Sequence, residues 1–276
     1  MPADLHVHTD YSDGMKSPET VVKESKAAGL TTIAITDHDS VGGIERAKKQ
    51  GEIEGIEVIE GIELSTETAE TEIHILGYFI DLKNSKLLEV IKKIQKDRVE
   101  RVIKICQKLQ AVGVDLPAEK VFAIAGKEAV GRPHVARALL SEGLIATFNE
   151  AFQKYIAFGG PAYVSHYKMA PKEAIDLINQ AGGLAVYAHP GVSKADDLIP
   201  ELALQGLAGI EVYYYLYREA QVKHYKELAL KHGLLMTGGS DYHGIENGRA
   251  VKLGEFSIAD ELVEKLKSEH IHRNRS

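Results

Sequence analysis

Imidazoles and carboxylates crowd the start of this chain: the stretch DLHVHTDYSDG, residues 4–14, holds His6, His8, Asp10 and Asp13. In an extended strand the His-x-His spacing turns both rings to one side. The pattern returns in TDHD (Asp37, His38, Asp39), GIELS (Glu63), AHP (His189) and SDYH (Asp241, His243), and EIHILGY places His74 inside a strand-like run. Imidazole mixed with carboxylate suits Mn, Fe or Zn better than Mg or Ca, which prefer oxygen alone. So many donors exceed the needs of one ion. Packed together without metal, they would cost on the order of several kcal/mol per unpaired charge. His224, His232, His270 and His272 stand apart from these clusters and read as ordinary surface or hydrogen-bonded residues.

For these side chains to meet, strand ends must converge. Up to residue 81 strand-like runs (ADLHVHT, TTIAITDHD, IEVIEGIELST, TEIHILGYFI) alternate with helical ones, which predicts βα units and a largely parallel sheet. Ser17-Pro18-Glu19 opens the first helix and Gly29 stops it. The pattern then turns helical from Leu82 through Tyr155, and strand-helix alternation resumes with APKEAIDLINQAGG, LAVYAHPG and GIEVYYY. An α/β fold follows: a (β/α) barrel formed by residues 1–81 and 161–276, with a helical insertion over 82–160 covering the active site. Each cluster except His74 falls at the carboxyl end of its strand, where barrel loops gather on one face. The tail HIHRNRS reads as a frayed end.

Composition narrows the classes. With 276 residues and 44% hydrophobic content, the chain can bury one large core or a core plus an inserted subdomain. A net charge of -7 argues against long nucleic acid but leaves room for a local basic pocket. The single Cys106 excludes an intrachain disulfide and reads as a packed apolar residue. No apolar run approaches the ~18 residues of a membrane span, and no leader precedes the first strand. A cytoplasmic location is expected.

Taken together, DLHVHTDYSDG, TDHD, GIELS, HILGY, AHP and SDYH resemble the PHP (polymerase and histidinol phosphatase) superfamily. Their order and spacing resemble its nucleotide-phosphatase branch, typified by the 3′,5′-nucleoside bisphosphate phosphatases. The resemblance implies a distorted (β/α)7 barrel of the PHP type holding two to three divalent ions, Mn first, with Fe or Zn as alternatives. It implies one ion on His6, His8, Glu63 and Asp241, a second on Glu63, His74 and His189, and a third on Asp13, His38 and His243. Glu63 would bridge two ions, and a metal-bound hydroxide would attack phosphorus. Asp39, Asp10 and His134 are candidates to protonate the leaving group.

Arg98 and Arg101, three apart on the long helix, share a face, and GRPH adds Arg132 and His134. On spacing alone the helix pair better fits a solvated face paired with Asp97 or Glu100. The resemblance implies instead that these arginines contact substrate phosphate, to which guanidinium forks are suited. Lys154 and His166 are two further candidates, and Glu211, at a strand end, fits a supporting role. The expected function is a metal-dependent phosphoesterase acting on a phosphomonoester of a small nucleotide, foremost a 3′,5′-nucleoside bisphosphate. The alternatives are a 5′ to 3′ exonuclease on short 5′-phosphorylated RNA, a histidinol phosphate phosphatase, and a non-catalytic metal-binding interaction domain. The expected partner is a small phosphorylated nucleotide or short oligonucleotide, with no membrane.

Overall fold

Thr32–Ile35, TIAI, is buried at all four positions, as a strand covered on both faces must be. It is β2 of an eight-strand, nearly closed barrel in a computed structural model that describes residues 2–165, 167, 169–244 and 251–275. The other strands are β1 (Pro2–Val7), β3 (Glu57–Glu67), β4 (Glu72–Tyr78), β5 (Leu184–Tyr187), β6 (Gly209–Tyr214), β7 (Leu235–Gly239) and the short β8 (Ile258–Ala259). Their order is β7-β6-β5-β4-β3-β2-β1-β8. The seam between β7 and β1 is drawn shut by Asp4, which accepts from Ser240 N (2.9 Å) and Ser240 Oγ (2.5 Å). Gly239 is needed there, because a Cβ would lie 2.4 Å from His6 Cβ.

The helices are α1 (Pro18–Ala27), α2 (Ile44–Glu54), α3 (Ser85–Ala111), α4 (Ala118–Ile124), α5 (Arg132–Ser141), α6 (Phe148–Ala151), α7 (Pro171–Gln180), α8 (Pro190–Ser193), α9 (Ile199–Leu204), α10 (Glu219–His232) and α11 (Asp260–Arg273). Ser17 caps α1 by accepting from Thr20 N, with Pro18 at the first helical position. Val21 and Val22 of α1 and Ile44 and Ala47 of α2 pack on Val7, Ile33 and Ile35. Among the described residues no strand lies between β4 and β5.

The strand α3 follows runs against expectation. β4 is antiparallel to both β3 and β5, because the chain turns back at once through Thr68–Thr71, closed by Thr68 N donating to Thr71 O at 2.9 Å. This reversal explains His74. It sits near the start of β4, opposite Ser65 in register, and so at the same mouth as the carboxyl ends of the parallel strands.

α3 serves two cores in turn. Its Leu87, Ile91 and Ile94 pack with Ile175 and Ile178 of α7 against the barrel wall. Val102, Ile105, Cys106 and Leu109 then join Val121, Val135 and Leu139 in a separate helical core. Truncating Ile105 to alanine would cost about 2–5 kcal/mol. Burial pushes the Cys106 thiol up to about 11, so it packs as an inert apolar group. The tail expected to fray is helical as far as Arg273, since α11 runs through His270–Arg273, and its Val263 and Leu266 pack on Ala3 and Leu5. Among the described residues no helix is long and apolar enough to cross a membrane.

Candidate metal centre

Glu63, fully buried on β3, lies at the middle of the mouth. Its Oε1 is 2.9 Å from His74 Nδ1 and 3.0 Å from His189 Nε2. Its Oε2 faces His6 Nε2 at 3.4 Å, His8 Nε2 at 3.3 Å and His38 Nδ1 at 3.0 Å. Asp241 Oδ1 stands 3.2 Å from His8 Nε2, and Asp13 Oδ1 stands 3.1 Å from His243 Nε2. All nine residues expected from the sequence come together here. They form overlapping groups: His8, Asp13, His38 and His243; His6, His8 and Asp241; His6, Glu63 and His189; His38, Glu63 and His74. The grouping differs from the expected division, since His38 stands with Glu63 and His74 as well as with Asp13.

The donors fit divalent metal. His6 Nε2, both nitrogens of His8, His38 Nδ1 and Glu63 Oε2 are buried without a properly formed hydrogen bond, a state that costs about 1–3 kcal/mol per group. A cation held among them would satisfy them together. Burial pushes Glu63 up, yet the surrounding rings of His38, His74 and His6 hold it well below the usual carboxylate range. Burial pulls His6 down, and Glu211, Glu63 and Asp241 outweigh it, raising His6 well above its ordinary value. Burial pulls His74 down, the opposite direction to His6, so the rings of the cluster are not equivalent.

Neighbours hold the donors in place. Glu211 lies 3.0 Å from His6 Nδ1 and accepts from His189 N at 2.8 Å, orienting one ring and one loop. Tyr214, at the end of β6, donates to Asp241 Oδ2 at 2.8 Å. Asp37 accepts from Thr9 N, Thr9 Oγ1 and Ser12 Oγ at 2.6–2.7 Å, which shapes the loop that carries Asp13. In that loop a Cβ on Gly14 would meet the His8 carbonyl carbon at 2.7 Å. His189 and Asp241 both take left-handed backbone, with φ of +33° and +51°, a strained conformation common at functional sites. The sequence reading missed Tyr214, Asp4 and Glu72, though the Asp4-x-His6 and Glu72-x-His74 spacings were available to flag the last two.

Several expected roles are displaced. Asp39 is fully buried and accepts from Arg98 Nε at 2.8 Å and from Ser65 N at 3.0 Å. Although burial pushes it up, Arg98 and His38 keep its carboxyl below the usual range, so it is ionised and unsuited to give a proton. Arg98 is buried too, with Asp39, Ser65 Oγ and the Val130 carbonyl as partners. It ties α3 to the barrel and does not lie on a solvated face.

His134 caps α5: its Nδ1 accepts from Gly131 N at 3.0 Å. Burial pulls it down to about 4, leaving a neutral ring that lines neither cavity described below. Asp10 pairs with Lys127 at 3.0 Å, and Lys154 pairs with Glu150 on the surface. His166 lies outside the described residues.

Two cavities adjoin at the cluster. One, of about 290 Å³, is lined by Glu63, His74, His189, Asp241, Arg132 and Glu72 among others. The second, about 140 Å³, is lined by Arg98, Arg101 and Arg132 and shares His38 and His74 with the first. Arg101 and Arg132 both reach Glu72, at 3.5 and 2.5 Å.

A barrel whose strand ends converge histidines and carboxylates on one open cavity defines a metal-dependent hydrolase. The chain belongs to the PHP domain family, whose model matches residues 4–179. It is 32% identical over 255 residues to the 3′,5′-nucleoside bisphosphate phosphatase of Chromobacterium violaceum, covering 90% of each chain. It is 33% identical over 261 residues to the 5′-3′ exoribonuclease Rnm of Salmonella typhimurium, covering 91% of this chain and 89% of that one. A solved chain from Bifidobacterium adolescentis, assigned as a metal-dependent phosphoesterase, superposes with a TM-score of 0.88 at 28% identity, over 96% of this chain and 95% of that one. The protein is a metal-dependent phosphoesterase, a hydrolase of phosphoric ester bonds.

Proposed function

We propose that the enzyme removes one phosphate from a small nucleotide that carries two, a 3′,5′-nucleoside bisphosphate. The carrying observation is the pair of adjoining cavities, one against the donor cluster and one against arginines, with Arg132 lining both. In this reading residues 1–81 and 161–276 form the catalytic barrel, and residues 82–160 close over it and supply the arginines. The setting in this reading is the cytoplasm.

His6, His8, Asp13, His38, Glu63, His74, His189, Asp241 and His243 would hold two to three divalent ions, Mn foremost, with Glu63 bridging. Such ions supply a Lewis acid and an activated water at phosphorus. Glu211 and Tyr214 keep His6, His189 and Asp241 in orientation. Arg101 and Arg132 hold the phosphate that is not cleaved, which fixes the other one in line for attack.

A second reading, exonuclease action on short 5′-phosphorylated RNA, has its own support. The partly exposed Phe158 and Val192 line the larger cavity and offer a surface on which a following base can stack.

Arg101→Ala and Arg132→Ala test the first reading. Each should lower kcat/KM for the bisphosphate by roughly ten- to a hundredfold, the worth of a charge-assisted hydrogen bond. An aryl phosphate, with one phosphate only, should lose much less. Equal losses on both substrates would remove the support for a second phosphate site. Faster turnover of a 5′-phosphorylated trinucleotide than of the bisphosphate would favour the second reading.

A further inference from the structure

β4 presents two functional side chains in succession. Glu72 and His74 are two apart on one strand and so emerge on the same side, His74 toward Glu63 and Glu72 toward the arginines. The Glu72 carboxylate bridges them: Oε2 accepts from Arg132 Nη2 at 2.5 Å, and Oε1 lies 3.5 Å from Arg101 Nη2. Tyr163 OH donates to Oε1 at 3.2 Å, and both guanidinium carbons stand 5.7 Å from the Tyr163 ring. Glu72 lines the cavity that Glu63, His74 and His189 also line.

Tyr163 OH also stands 3.3 Å from Glu67 Oε2, the cross-strand neighbour of Glu72, so two carboxylates sit by the two guanidinium groups, and Glu72 pairs with both of them. Burial, together with the neighbouring Arg132, pulls Arg101 down to about 9, and Glu72 works against that fall. A phosphate dianion matches two guanidinium groups in charge and, by its fork geometry, in shape. A phosphate that takes the Nη2 donors of Arg132 and Arg101 displaces the Glu72 carboxylate from them.

We propose that Glu72 is the resident counter-ion of the Arg101–Arg132 pair, exchanged for the second phosphate when substrate binds and exchanged back when product leaves. Glu72 thereby sets the affinity for ligands with two phosphates. Once one phosphate has been hydrolysed at the cluster, the nucleotide is still held by the other. The carboxylate, tethered beside the arginines, competes for them and shortens the product's stay. This inference rests on the reading that the arginines hold a second phosphate.

Glu72→Gln separates the roles, since the amide keeps the shape and can still accept from Tyr163 but carries no charge. The full-length chain treated with chelator is titrated with inorganic sulfate, so that the arginines and not metal report, and binding is followed by thermal shift. The Mn-loaded enzyme is assayed for inhibition by a nucleoside 5′-monophosphate. Glu72→Gln should bind both ligands about tenfold tighter, a gain of the size set by one charge-assisted bond.

Unchanged or weaker binding would overturn the proposal, and a merely architectural role for Glu72 predicts weakening. If Glu72→Gln does not fold, Glu72→Asp, which draws the carboxylate back from Arg132, must tighten binding in the same direction. Arg132→Ala distinguishes the two levels of the argument. If it weakens sulfate binding while Glu72→Gln fails to strengthen it, the exchange fails alone; if Arg132→Ala changes nothing, the second phosphate site fails first.

Discussion

Asp39 closes on Arg98 in a fully buried ion pair that fastens α3 to the loop after β2, with Nε and Oδ2 2.8 Å apart. Removing one partner leaves the other charge buried without its counter-ion. Asp39→Ala should therefore cost about 3–5 kcal/mol of folding stability, read from urea unfolding. The double variant Asp39→Ala with Arg98→Met should recover part of the loss, because both charges are then gone. Additive losses would mean that the pair does not act as a unit.

Glu63→Gln keeps the volume of the central side chain and removes its charge. Turnover of any phosphomonoester should fall by several orders of magnitude. The Mn-induced rise in Tm should shrink as well, since a ligand that binds only the folded state at a hundred times its Kd adds about 2.7 kcal/mol per site. Full activity with an unaltered thermal response to Mn would remove Glu63 from the centre of the site.

His134 makes stability depend on pH in a predictable direction. Its neutral ring is required by the fold, since Nδ1 accepts from Gly131 N, and burial holds it down to about 4. An unfolded histidine takes up its proton near 6.5. The contribution is thus intact above about pH 6.5 and is lost as pH falls toward 4, by about 3 kcal/mol in all. His134→Asn, which keeps an acceptor near the Gly131 amide, should be less stable at neutral pH but show a flatter decline over that window. Parallel pH profiles for the two proteins would contradict the assignment.

The donor cluster was legible because its residues are themselves the markers of strand ends: TDHD, AHP and SDYH each follow a short apolar run. The direction of β4 was not. Alternating apolar residues are the same read either way along a strand, and the turn at Glu67–Glu72 contains no glycine, proline or asparagine to announce a hairpin. The buried pairing of Arg98 was hidden for a different reason. Its partner lies 59 residues away, beyond the reach of any helix-face argument, so only packing discloses it. His134 looked like a phosphate contact from its place beside Arg132, whereas at the third position of α5 it does the local work of a cap.

One reversed strand also decides the route the chain must take afterwards. Because β4 descends from the mouth, the polypeptide leaves it at the base, on the far side of the barrel from the chemistry. To return, α3 has to climb the outer wall, and its 27 residues reach about 40 Å at 1.5 Å each. A shorter helix could not both rise along the wall and anchor a second core above it. The length of α3 is thus the toll of a hairpin of few residues, and a deletion of one or two of its turns would leave Arg98 and Arg101 below the cavity they line.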